Sequence, residues 1–198
     1  MTSSLNDDFQ AQRSRERESL RGTVSTLFAD EPRAVLELGC GHGHFLTSLA
    51  TAHPAALHVG VDKLPSRIAR GQRKVERAQL NRLHFIHADI LDFLELVPRT
   101  VYWSAIYVLF PDPWPKRRHH KHRWLQPHTL AALASQAAPG AHLYFKTDVK
   151  AFYLDVIKLL ELQGDWALVD DAEWPDGPRT IFEGYANESY SLIAQLRK

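Results

Sequence analysis

The chain has 198 residues, 44% of them hydrophobic and 24% charged. That is a length for one domain and an ordinary globular composition, which excludes global disorder and fibrous repeats. Lys and Arg number 24 against 23 Asp and Glu, and the single cysteine rules out an internal disulfide framework or a multi-cysteine zinc site. No apolar run approaches the roughly 20 residues of a membrane span. Residues 1–8 carry neither the basic nor the apolar segment of a secretory signal, so a soluble cytoplasmic protein is expected.

Residues 1–32 are polar, with Arg13, Arg15, Arg17 and Arg21 interleaved with Glu16 and Glu18. They read as a mobile or helical arm closed by Pro32, ahead of a single domain over 33–198. Strand and helix signals then alternate. Ala34–Leu38 is a short apolar strand, and Phe45–Ala52 a helix stopped before Pro54. Leu57–Asp62 is a second strand. Ser66–Gln79 is a helix with Ile68, Gln72, Val75 and Gln79 on one side and Arg67, Arg70, Arg73, Lys74 and Arg77 on the other. Leu83–His87 is a third strand, Asp92–Val97 a short helix, and Ala105–Phe110 a fourth strand, almost wholly apolar as a doubly covered parallel strand should be. A helix over Gln126–Ala138 stops at Pro139-Gly140. His142–Lys146 is a fifth strand, Val149–Gln163 a helix ending at Gly164, and Tyr190–Leu196 an alternating terminal strand. This alternation predicts an α/β sandwich: a Rossmann-like, mostly parallel sheet with an antiparallel C-terminal strand and helices on both faces. Ligands of such folds bind at the carboxyl ends of the strands.

The balanced net charge hides local imbalance. Between Lys63 and Arg82 seven Lys and Arg face Glu76 alone. Lys116–Arg123 holds five Lys and Arg, three histidines and no acid, and Glu161–Glu183 holds seven acids against Arg179. A basic face of this kind points to a polyanion, although a charge run can equally be a solvated helix face.

The strand ends hold the candidate chemistry. The first runs into Glu37-Leu38-Gly39-Cys40-Gly41-His42-Gly43, whose alternating glycines permit a tight turn and a close backbone approach. A dinucleotide fingerprint would need glycine at position 44, where His44 stands, so a nicotinamide oxidoreductase is disfavoured. Glu37 suits a cationic ligand, and Cys40 reads as a small filler. Asp62, about 20 residues after the loop, is where Rossmann-like folds bond ribose hydroxyls, or else a helix cap. Asp89 follows the third strand and could bond an adenine amino group.

The fourth strand enters Phe110-Pro111-Asp112-Pro113-Trp114-Pro115-Lys116. Each residue before a proline is pushed toward extended backbone, which predicts a stiff rod with Phe110, Asp112 and Trp114 near one side. A carboxylate can accept hydrogen bonds from a guanine edge, an indole can stack, and the basic run that follows can meet phosphates. A zinc site from His119, His120, His122 and His128 is disfavoured, because spaced ligands and supporting acids are lacking. Asp148 either caps the helix after strand five or serves the site. Thr180-Ile181-Phe182-Glu183 has the form of a capping box, but no helix follows it, so it reads as a loop site.

The glycine loop resembles that of class I methyltransferases that bind S-adenosylmethionine. With the Phe110–Lys116 segment and its basic tail, Thr147-Asp148 and Thr180–Glu183, in this order, the chain from about Val35 onward resembles the tRNA (guanine-N7-)-methyltransferase family. The resemblance implies that Glu37, Gly39, Gly41, Gly43, Asp62, Asp89 and Asp112 line a pocket for S-adenosyl-L-methionine. It implies that Asp112 is catalytic, and that Lys116, Asp148, Thr180, Ile181, Phe182 and Glu183 bind tRNA. No metal and no membrane are implied, and the protein would be a monomer or homodimer. The chain departs from the family pattern after Glu183, where Gly184–Glu188 carries no base. A methyltransferase with a non-tRNA substrate, or an RNA-binding protein without transfer activity, are the rival readings.

Overall fold

The computed structural model describes residues 2–170, 174 and 188–197, the side chains of 2–7, 9, 117 and 122 excepted. Helix α1 (Thr2–Leu27) precedes an alternating series: β1 (Arg33–Leu38), α2 (His44–Ala52), β2 (Leu57–Asp62), α3 (Pro65–Ala78), β3 (Leu83–His87), α4 (Ile90–Leu96) and β4 (Tyr102–Leu109). A 3₁₀ segment (Arg117–His122) leads to α5 (Pro127–Gln136), β5 (Ala137–Thr147), α6 (Lys150–Gln163), β6 (Trp166–Leu168) and β7 (Tyr190–Leu196). The seven strands form one sheet in the order β3-β2-β1-β4-β5-β7-β6. β1 to β5 are parallel, and β7 runs antiparallel to β5 and to β6. The expected α/β sandwich with an antiparallel C-terminal strand is therefore present.

The strands form because they are buried on both faces. Every residue of β2 is buried, and Ile106–Leu109 of β4 likewise. One apolar cluster lies under α4, α5 and α6 and takes in Leu20 and Val24 of α1 and Phe28 just after it; the other joins α2 and α3 to Phe85, Tyr107 and Leu109. The polar N-terminal segment takes the helical form of the two expected, as α1, and Phe28 just beyond it lies edge-on against Trp103, ring centroids 5.9 Å apart. The helix expected to reach Ala138 ends at Gln136, and β5 begins at Ala137 through a register shift that accommodates Pro139-Gly140, proline being tolerated at bulges. Strand β6, three residues long, is too short to have a readable period. Among the described residues no helix is long and apolar enough to cross a membrane.

Candidate active site

Register places the candidate residues along one edge of the sheet. Leu38 pairs with Val61 on one side and Val108 on the other, and Val108 pairs with Phe145. The turns after β1, β2, β4 and β5 therefore leave at one level. The Phe110 amide donates to the Lys146 carbonyl at 2.8 Å, joining the last two. Carboxyl strand ends at the reversal of strand order, here between β1 and β4, form the ligand crevice of open α/β sheets.

The glycine loop closes onto the end of β2. The amides of Gly39 and Cys40 donate to the Val61 carbonyl at 2.8 and 3.0 Å. Gly41 donates to Asp62 Oδ2 at 3.0 Å. Asp62, buried, also accepts from the Leu64 amide at 2.8 Å and pairs with Arg67 at 3.4 Å. In this structure Asp62 fastens the loop. The three loop glycines all have positive φ, yet they differ in what surrounds them. A side chain at Gly39 or Gly41 would meet nothing within 4 Å, so the space a ligand needs is open there. A Cβ at Gly43 would lie 2.2 Å from Phe85 Cζ. Gly60 and Gly71 also abut the Phe85 ring, so glycines of the loop, β2 and α3 make a socket for one aromatic side chain. A glycine inside a strand and another inside a helix are the sequence signal for such an approach.

Directly before this turn, Glu37 is 4% exposed and its Oε2 has no hydrogen-bond partner. Burial, and then the Asp62 carboxylate, push its pKa up to about 8, against the pull of the Leu46 amide. A buried acid with an unpartnered oxygen suits a ligand that brings a positive charge. Cys40 is buried in the turn, and burial holds its thiol up, so it fills space. Tyr107 lies close to Phe45, centroids 4.9 Å apart, and stacks on Tyr144 at 4.6 Å. Trp174 meets Tyr144 edge-on and lies 4.5 Å from Lys146 Nζ. This aromatic file was not anticipated, because its members are far apart in sequence.

The segment after β4 is not the straight rod expected. Phe110 and Trp114 have φ of 50° and 42°, a left-handed region that bulky residues rarely enter. The pre-proline restriction bars them from the right-handed helical region, and the chain here turns instead of extending. Each such residue costs about 1–3 kcal/mol and persists where the surroundings over-determine it. One anchor is visible. Arg123 is 8% exposed and its Nε donates to the Pro113 carbonyl at 2.7 Å. Its other nitrogens reach Asp155 of α6 at 2.8 Å and His120 at 3.1 Å, and the guanidinium lies 4.3 Å from the Phe152 ring centroid. Arg123 therefore belongs to the scaffold and not to a phosphate-facing run. Between the two turned residues Asp112 is exposed, as is Lys116 beyond them.

Asp89 is also exposed and caps α4, accepting from the amides of Leu91 at 2.9 Å and Asp92 at 3.4 Å through Oδ1. Asp148 does not cap α6: the Val149 amide donates to Thr147 Oγ1 at 3.2 Å, leaving the Asp148 carboxylate exposed at the end of β5. Thr180, Ile181, Phe182 and Glu183 lie outside the described residues. Among the described residues no three His, Cys, Asp or Glu are grouped to hold a metal ion. A concavity of about 730 Å³ between α1, α3 and β3 lies along the edge strand. Its lining includes Thr23, Gln72, Val75 and Phe85 with Glu76 and His84, and holds none of the strand-end candidates.

A seven-stranded sheet in this order, with an acid and a glycine turn after β1, defines the class I methyltransferase fold. An N-methyltransferase, NodS, from Bradyrhizobium japonicum shares it with a TM-score of 0.58 at 17% identity, over 97% of this chain and 99% of that one. Residues 31–189 match the family model described as "Putative methyltransferase", and the chain belongs to that family. The tRNA (guanine-N(7)-)-methyltransferase of Bordetella pertussis is 30% identical over 80% of this chain and 61% of its own length. The enzyme of the same name from Treponema pallidum is 38% identical over 82% and 65%. The chain thus spans about three fifths of the length of the curated relatives it matches.

Proposed function

We propose that the chain is an S-adenosylmethionine-dependent methyltransferase acting on N7 of a guanine in tRNA, in the cytoplasm. The observation that carries this reading is the buried Glu37 carboxyl, with an unpartnered oxygen, two residues before a glycine turn in which a Cβ at Gly39 or Gly41 would meet nothing within 4 Å. A cofactor with an ammonium and a sulfonium satisfies it, and the names of the relatives supply the substrate class. When bound, S-adenosylmethionine supplies an electrophilic methyl group. Guanine N7 offers a lone pair at neutral pH, so the new N–C bond forms as the S–C bond breaks and no proton need be removed. The chain's own work is then positioning and charge balance.

In this reading Glu37 takes the ammonium, and Gly39 and Gly41 let the cofactor pass. Asp62 holds the loop, with Gly43 set against Phe85. Asp89 lies at the adenine end. Asp112, presented between two turned residues, orients the guanine and balances the purinium charge as it develops. Lys116, Asp148 and Thr180–Glu183 hold the RNA around it, and the target base must leave its stack to reach the pocket. Labelled methyl transfer to bulk tRNA, followed by nucleoside analysis, should yield 7-methylguanosine. Asp112→Ala should lose at least a hundredfold in rate, since one positioned electrostatic contact carries that much, with cofactor affinity nearly intact. A variant retaining most of the rate would make Asp112 structural. The base-free Gly184–Glu188 segment favours one alternative, the same transfer to a non-tRNA substrate, which label on a different acceptor would reveal.

A further inference from the structure

We propose that the basic stripe of α3 binds the phosphodiester backbone of the RNA substrate, on the flank of the site opposite the 3₁₀ segment. This rests on the reading of the chain as an RNA methyltransferase. Arg70, Arg73, Lys74 and Arg77, related by steps of three and four residues apart from the adjacent Arg73 and Lys74, line one side of α3, while Ile68 and Gly71 are buried on the other. Arg70, Arg73 and Arg77 are exposed, and none of them pairs with an acid among the described residues. The charges repel one another: burial first, then Arg70, Arg73 and Arg77, push the Lys74 ammonium pKa down. Folding has gathered these like charges with Glu76 as the one acid of α3, which pairs with none of them among the described residues, and a polyanion relieves that repulsion.

The stripe is also fastened to the cofactor loop. Lys74 Nζ donates to the His42 carbonyl at 2.6 Å and Arg70 reaches His42 Nε2 at 3.3 Å. At the head of α3, Arg67 pairs with Asp62. The loop thus has α3 on its β2 side. On its other side, beyond β4, Arg123 anchors the 3₁₀ segment to α6. A nucleotide whose base enters at Asp112 has a phosphate on each side, and two basic flanks with the pocket between them fit that arrangement. An acidic protein needs no such symmetry about the pocket.

The test uses Arg73→Ala/Arg77→Ala, two exposed positions that hold neither loop nor site. The control is Arg33→Ala/Arg99→Ala, which removes the same charge at the amino ends of β1 and β4. Binding of unmodified bulk tRNA is followed from 50 to 200 mM salt. The α3 variant should bind several-fold more weakly at low salt, and the slope of log affinity against log salt should shrink by roughly 0.7–0.9 per lost contact. S-adenosylmethionine affinity, thermal stability and the control's slope should stay at wild-type values. An α3 variant with wild-type slope overturns the inference alone, as does an equal loss in the control, which would indicate net charge only. A wild-type protein that binds and methylates no tRNA overturns the functional reading and the inference with it. Preference for an acidic peptide over tRNA in direct competition would assign the stripe to a protein partner.

Discussion

Glu37 carries a protonation change that both stability and binding should report. Its pKa stands near 8 in the folded chain against 4.5 in the unfolded one, so folding favours the neutral acid. Below pH 4.5 the group is protonated in both states and costs nothing. As pH rises from there through 8 the folded chain must hold an ionised buried carboxylate, a penalty on the order of 5 kcal/mol when complete. The melting temperature of the ligand-free protein should therefore fall between pH 5 and 8, and Glu37→Gln should flatten that decline. A ligand ammonium reverses the preference, so cofactor binding at pH 7 should release close to one proton. Calorimetry in buffers of different ionisation enthalpy measures it, and zero release would separate Glu37 from the cofactor. The loop glycines divide in the same residue-by-residue way. Gly41→Ala adds a methyl in open space and should cost only ~1–2 kcal/mol for its positive φ, while weakening cofactor binding at least tenfold. Gly43→Ala drives into Phe85 and should cost ~2–4 kcal/mol in chemical denaturation, which Phe85→Leu in the same chain partly restores. Equal effects of the two substitutions on stability would erase the distinction.

At the scale of elements, the stretch from β4 to α5 depends on one buried guanidinium. Arg123 is bonded to the Pro113 carbonyl, to Asp155 and to His120 while lying over Phe152. Lysine cannot reproduce that fork, so Arg123→Lys should destabilise almost as much as Arg123→Ala, by ~1–3 kcal/mol, and both should lower methyl transfer by loosening Asp112. Arg118→Ala, at an exposed position in the same basic run, should leave the melting temperature unchanged. Indistinguishable melting curves for Arg123→Ala and Arg118→Ala would show that the anchor does nothing. The contrast also shows what a charge run conceals: eight consecutive residues from Lys116 to Arg123 look alike in sequence, and one of them is scaffold.

At the scale of the whole molecule, α1 completes the core. Gln10–Glu16 are exposed, whereas Leu20, Val24 and Phe28 are buried with Trp103 and Phe93, and Arg17 pairs with Asp92 and with Glu95 of α4. Val24→Asp places an unpaired charge among apolar side chains and should cost ~3 kcal/mol or more, enough to unfold a marginal domain. Full cooperativity and wild-type stability for Val24→Asp would mean that α1 is not docked in solution. The parallel sheet makes this docking matter, since strands buried on both faces expose core wherever a covering helix detaches.

Local chemistry was legible in the sequence wherever one short stretch carried the whole signal. The apolar strands of the parallel sheet, the amphipathic α3, the glycine turn after Glu37 and the proline-punctuated segment around Asp112 all announce themselves within ten or so residues, because periodicity and backbone restriction are properties of neighbours in the chain. What only the tertiary structure decided comes from residues far apart in sequence. Gly43, Gly60 and Gly71 form one socket around Phe85; Glu37 is buried near Asp62; Arg123 faces inward from a run that reads as outward; Thr147, not Asp148, bonds the Val149 amide. Burial, unmatched charge and close backbone approach exist only once distant strands are side by side, and for that reason the candidate residues could be picked out before the structure, but their surroundings could not.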